Sequence, residues 1–156
     1  MPRRLDLDAL GRQLLRRLAL QGPSRAAQLV ADLGVSQPTF SRLAGQFAQE
    51  LLVVGRARAT RYAARRHIDG VGQHVPVYEI DERGEARKLA TLHALQPEGF
   101  YVEAKTPDVE SAFFKDIPYF SSDLRPAGFL GRLIPAQHPE LEAPSDITLW
   151  SADHCL

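Results

Sequence analysis

The chain has 156 residues, room for one domain or two small ones, and its 44% hydrophobic content is that of a globular protein rather than a disordered one. No apolar run approaches the ~20 residues a membrane-spanning helix needs, and the start, Met-Pro-Arg-Arg, runs into acids at Asp6 and Asp8 without a signal-peptide core. The formal net charge of zero conceals a split: residues 1–66 hold 12 Lys+Arg against 4 Asp+Glu, a surplus of 8, whereas residues 67–156 hold 7 against 15, a deficit of 8.

A basic block of that size suits a phosphate-facing surface, because each cation that neutralises a phosphate releases a condensed counterion. The plainer alternative is a pair of solvated faces that pair with each other. A single cysteine, Cys155, excludes an internal disulfide, and a cytoplasmic location is the default expectation. Its penultimate position makes Cys155 a bystander.

In chain order, Leu5, Leu7, Leu10, Leu14, Leu15 and Leu18 recur at helical spacing with Arg12, Arg16 and Arg17 between them, until Gly22-Pro23 stops the pattern. Ser24 is expected to cap a second helix that turns Ala27, Leu29, Val30 and Leu33 inward. Gly34 ends that helix in a left-handed conformation. Ser36 caps a third helix, whose first turn tolerates Pro38 because the amide there is unpaired.

The segment AAQLVADLGVSQPTFSRLAGQF thus reads as helix, tight turn, helix, with Val35, Phe40 and Leu43 packing the second and third helices together. The third helix starts with Ser36, Gln37, Thr39, Ser41 and Arg42, where a recognition helix meets base edges and phosphates. Gln and Arg make bidentate contacts to adenine and guanine edges; Ser and Thr suit phosphates or either base type. A plain helical hairpin with a polar face is the alternative. Ser24 and Arg25 complete the expected DNA-facing set on the helical side.

LLVVGRARATRYAARR follows: a strand over Leu51–Val54, a turn over Gly55–Ala59 and a return strand over Thr60–Ala63. A short hairpin directly after a recognition helix is a wing. Arg56 and Arg58 lie at its tip and Arg61 on its return strand, suited to phosphates or the minor groove, though simple solvation would also accommodate them. Arg65 and Arg66 sit at the border of a linker.

Residues 67–74, with two glycines, read as that linker. VPVYEIDERGEARKLATL then gives a strand with Val75, Val77 and Ile80, a turn at Asp81–Gly84 and a return over Ala86–Leu92; Gly99–Ala104 forms another strand. The Pro-, Gly- and aromatic-rich remainder offers Phe113, Phe114, Ile117, Tyr119, Phe120, Phe129 and Leu130 as a core, and a short helix near Ala127–Ile134. The predicted fold class is α+β, with a winged helix-turn-helix in residues 1–66 and a small antiparallel β-rich domain in residues 75–156.

No catalytic constellation emerges. His67, His74, His93, His138 and His154 lack metal-ligand spacing and a cysteine partner, so no metal or cofactor is expected. Gly128–Arg132 has glycines but not the spacing or the Lys-Ser/Thr of a phosphate loop. Asp123 and Arg125 bracket Leu124; they either fix a turn as an ion pair or present a partner surface.

The succession SRAAQLVADLGVSQPTFSR, GRARATRYAARR, VPVYEIDERGE and IPYFSSDLRPAGFLGRLIP resembles the YjjJ-like branch of HipA-family proteins along essentially the whole chain, with DLRPAGFLGR, Asp123–Arg132, as its most specific stretch. The resemblance implies a winged helix joined to the N-terminal subdomain of a HipA-type serine/threonine kinase. The kinase core of such proteins would lie beyond Leu156, so no catalytic residue is carried over and the chain is expected not to be an enzyme. Asp123, Arg125, Phe129 and Arg132 become the expected partner-binding residues. Three roles follow: a DNA-binding regulator or antitoxin-like component of a HipA-type toxin–antitoxin system, a module that inhibits a HipA-like kinase, and an inactive N-terminal fragment of such a kinase. The first expects duplex DNA as partner, and paired half-sites would call for a homodimer.

Overall fold

A computed structural model describes residues 6–120 and 125–156, with the side chain of Leu130 also set aside, and all that follows refers to these. The fold is mixed α+β. Among the described residues there are four α-helices and seven strands in two sheets. The chain divides into two compact units, one made of the residues up to His67 with His93–Glu98, the other of Ile68–Leu92 with Gly99–Leu156.

In the first unit, helix α1 (Leu7–Gln21) starts where the Asp6 carboxylate accepts the Ala9 amide at 3.0 Å, satisfying one of the orphan donors of the first turn. It ends at Gly22, whose positive φ of 75° suits glycine. Strand β1 (Ser24–Arg25), helix α2 (Ala26–Leu33), helix α3 (Gln37–Gln46), strand β2 (Leu51–Val54) and strand β3 (Arg61–Ala64) follow, and the three strands form an antiparallel sheet in the order β1-β3-β2. Leu14, Leu18, Leu29, Leu33, Phe40, Leu43, Ala44, Leu51 and Ala64 form one buried cluster. Each large apolar side chain in it contributes roughly 1.5–3 kcal/mol by leaving water. The Phe40 ring stands edge-on to Tyr62 at 5.0 Å, which ties α3 to the sheet. Gly11 faces the Phe47 ring so closely that an added Cβ would sit 1.9 Å from it.

Two expectations for this unit are corrected. Ser24 does not cap α2. It lies in β1 opposite Tyr62, its buried hydroxyl donates to the Gly22 carbonyl at 3.0 Å, and Arg25 occupies the cap position without a side-chain bond. Pairing with β3 requires extended backbone there, and that long-range demand overrides the capping preference. Ala27 is exposed, and Ala26 is half-buried in its place. The inward stripe is Ala26, Leu29, Val30 and Leu33, spaced i, i+3, i+4, i+7, which leaves Ala27 off the apolar face.

The second sheet has the order β4-β5-β6-β7: β4 (His74–Ile80), β5 (Ala86–Ala94), β6 (Phe100–Ala104) and β7 (Ala112–Phe114). The last two residues of β5 group with the first unit. The β4–β5 turn is held by Asp81, whose Oδ1 accepts the amides of Arg83 at 2.8 Å and Glu85 at 2.9 Å, the local bonding that makes Asp a turn former. At Gly99, φ is 88° and an added Cβ would lie 2.3 Å from the Phe114 carbonyl, so only glycine lets the start of β6 pass the end of β7. Helix α4 (Gly128–Gln137) follows, and Trp150, 7% exposed, donates its indole N–H to the Pro144 carbonyl at 2.7 Å.

The expected aromatic core of this unit is also corrected. Ile68, Ala90, Leu92, Phe100, Val102, Val109, Pro118 and Trp150 are among its buried residues. Phe113, Phe114, Ile117 and Phe120 are half-buried, and Tyr119 and Phe129 are 71% and 73% exposed. Ala90 and Leu92 of β5 with Phe100 and Val102 of β6 fill the interior, and Tyr119 and Phe129 stay at the surface. The side chain of Leu130 lies outside the described residues.

Candidate nucleic-acid interface

The approach to α3 is built by Gly34 and Ser36. Gly34 takes the left-handed conformation (φ 61°, ψ 33°), and the Val35 amide then closes onto the Val30 carbonyl at 3.3 Å, which turns the chain sharply after α2. Ser36 caps α3 as the sequence expects. Its Oγ accepts the Thr39 amide at 3.4 Å and shares a 2.9 Å hydrogen bond with the Thr39 hydroxyl. Phe40, Leu43 and Ala44 face the core, which leaves Gln37, Pro38, Ser41, Arg42 and Gly45 exposed along the other side. The far end of α3 is tied to α1 by Gln46, whose amide donates to Asp8 at 2.8 Å.

The hairpin after α3 turns through Gly55, where φ is 88° and a Cβ would come 2.8 Å from the Ala59 carbonyl. A 3-10 turn over Ala57–Ala59 carries the exposed Arg56 and Arg58 on either side of Ala57. Arg61 opens β3 and lies directly opposite Arg25 of β1; both are exposed.

Apart from Arg61, the arginines of this unit among the described residues fall into two groups. Arg17 pairs with Asp32 at 3.1 Å, linking α1 to α2. Arg65 donates to the Leu51 carbonyl at 3.2 Å and lies 3.1 Å from the His93 ring, and Arg66 donates to the Leu95 carbonyl at 3.0 Å, so both bind the hairpin to the segment His93–Glu98. These three hold the fold together. Arg12 and Arg16 on α1, with Arg25, Arg42, Arg56 and Arg58, are exposed and form no ion pair among the described residues. Of the expected DNA-facing residues, Gln37, Thr39, Ser41 and Arg42 gather on α3 behind the Ser36 cap, Arg56 and Arg58 at the hairpin, and Arg25 and Arg61 on adjoining strands. Ser24 is removed from the exposed set by its burial.

Sequence reasoning passed over Gly45. It has ordinary helical φ, and an added Cβ would meet nothing within 4 Å. Glycine inside a helix costs up to about 1 kcal/mol relative to alanine, and here no internal contact accounts for it.

In the second unit, Arg125 bonds Asp116 through one guanidinium nitrogen, at 2.6 and 2.5 Å to the two carboxylate oxygens. Asp123 lies outside the described residues. Phe129 and Arg132, both exposed, stand one turn apart on α4. His138 bonds Glu140 at 2.8 Å and His154 bonds Ser151 at 2.9 Å. Among the described residues no group of three or more His, Cys, Asp or Glu is placed to hold a metal ion, and no helix is long and apolar enough to cross a membrane. Burial pushes the Cys155 thiol above its ordinary pKa, only partly offset by Arg125, so little of it is thiolate at neutral pH.

Residues 71–156 match the family described as YjjJ-like toxin, middle domain. The chain belongs to the YjjJ-like toxin family. The family match takes in most of the second unit and, of the first, the segment His93–Glu98. The chain is also 37% identical over 140 residues to the toxin YjjJ of Escherichia coli (strain K12), a similarity that takes in 89% of this chain and therefore most of the basic unit as well. The chain spans about a third of that relative's length, 31%. No solved structure matches it.

Proposed function

We propose that the first unit is a winged helix-turn-helix that binds duplex DNA, and that the chain serves as the DNA-binding, antitoxin-like or regulatory component of a HipA-type toxin–antitoxin system. The reading is supported by the order α1-β1-α2-α3-β2-β3, the left-handed turn at Gly34, the capped start of α3 and the arginine-bearing hairpin that follows. A single observation carries it: Arg42, Arg56 and Arg58 are exposed without acidic partners among the described residues, within residues 1–66, which hold a surplus of eight positive charges. In this reading α3 enters the major groove, Arg56 and Arg58 follow the backbone or minor groove, and Arg25 and Arg61 face the DNA backbone from adjoining strands. Similarity to a toxin supports a toxin–antitoxin setting, and the reading gives the chain no catalysis of its own.

Fluorescence anisotropy with DNA from the protein's own promoter and with a scrambled duplex, over a salt series, tests this. The expected result is promoter-preferring binding with a log–log salt slope of about −4 to −6, as for five or six neutralised phosphates. Replacing both Arg56 and Arg58 with Ala should lower that slope by about 2. No binding at low salt would overturn the reading.

A second reading is favoured by the exposed Tyr119 and Phe129 in the family-matched unit. Large exposed apolar side chains mark partner surfaces. Here the chain would act as an interaction module for a HipA-like kinase, inhibiting it or forming its N-terminal portion, with Arg125, Phe129 and Arg132 at the contact. Loss of kinase inhibition on Phe129→Ala, with DNA binding unaltered, would favour it.

A further inference from the structure

The exposed side of α3 poses a question that capping does not answer. The Ser36 and Thr39 hydroxyls bond each other and the Thr39 amide, so their hydrogen-bonding capacity is largely used inside the protein. The side chains pointing most directly away from Phe40, Leu43 and Ala44 are Pro38, Ser41 and Arg42, with Gly45 one turn further on. Gly11 and Gly45 are both helical glycines, yet they differ in kind. The missing Cβ at Gly11 makes room for the Phe47 ring. At Gly45 a Cβ would meet open space. A glycine that weakens its helix and relieves no internal clash fits a place where another molecule's surface approaches the backbone.

Resting on the DNA-binding reading above, we infer that the stripe Pro38–Ser41–Arg42–Gly45 is the base-reading face of α3, with Gly45 retained so that the helix backbone can seat deeply in the major groove. The charge surplus of the unit selects duplex DNA as the occupant of this face. Arg42 donates two hydrogen bonds to O6 and N7 of a guanine, the pairing its planar fork matches. The Pro38 ring, which has no donor, packs on the 5-methyl group of a thymine. Residues four apart in a helix are about 6 Å apart along its axis, so the guanine and the thymine fall within about two base pairs of each other. Ser36 and Thr39 shape the helix start and choose no base.

The test is selection from a randomised duplex library with the full 156-residue chain, followed by anisotropy on the enriched site. The expected motif contains a fixed guanine with a thymine nearby. Arg42→Ala should lose preference at the guanine, with affinity down roughly tenfold. Replacing the thymine by deoxyuridine, which removes only the methyl group, should weaken wild-type binding about fourfold and leave Pro38→Ala unaffected. Gly45→Ala should act in opposite directions on two readouts, raising the melting temperature by a few degrees and weakening binding to the selected site. Ser36→Ala should keep the motif. A motif that survives Arg42→Ala, or a Gly45→Ala variant that binds as well as wild type, overturns this inference while DNA binding stands. Failure of the wild type to retain any duplex at low salt overturns the DNA-binding reading and this inference with it.

Discussion

The two units of this chain differ in the large apolar side chains they leave exposed: Leu20 and Val53 in the first, aromatic rings as well in the second. In the first, Phe40 is wholly buried between helix and sheet, and what remains exposed on α3 and the hairpin is largely polar or basic. In the second, Phe100 and Leu92 fill the interior while Tyr119, Phe129, Leu141 and Leu149 stay in contact with solvent. The exposed Arg42, Arg56 and Arg58, without ion pairs among the described residues, suit a polyanion; exposed aromatic and leucine side chains suit another protein. On the readings proposed above, the contrast corresponds to two kinds of partner, one for each unit.

The comparison is broken most sharply by removing buried rings. Phe40→Ala should cost about 3–5 kcal/mol, through lost burial, a residual cavity and the lost edge contact with Tyr62, read as a lower urea midpoint. Gly99→Ala comes next, at about 2–4 kcal/mol, because it forces both an unfavourable φ and a contact with the Phe114 carbonyl. It should lower the midpoint as well, and a stability like that of wild type would show that β6 and β7 do not pass as closely as described. Phe129→Ala should be the smallest effect, within about 0.5 kcal/mol, since a ring 73% exposed has little burial to lose. A large loss in that variant would mean that Phe129 is covered in solution.

Much of the first unit was legible from local signals. The leucine spacing gave α1, Gly34 and Ser36 marked the turn and the cap, and Leu51–Val54 with Gly55 gave the hairpin. Strand β1 was not legible: two residues carry no periodicity, and their conformation is set by pairing with Arg61 and Tyr62, far along the chain. The same long-range pairing hid the roles of Arg65 and Arg66, which read as linker charges and prove to hold the segment His93–Glu98. In the second unit the turn at Asp81 was visible because its bonding is local, but β7 is three residues long and the aromatic segment reads as core by composition alone. The exposed face of α3 followed from helical spacing. The significance of Gly45 required knowing that nothing inside the protein fills the space beside it.

The most direct test of DNA reading by the basic unit is a titration of the isotope-labelled full chain with its promoter duplex, following backbone amide NMR shifts residue by residue. Shifts concentrated in residues 36–46 and 54–61, with α4 and Tyr119 unmoved, are the expected result. Shifts centred on α4 and Tyr119, or none anywhere at low salt, would contradict it.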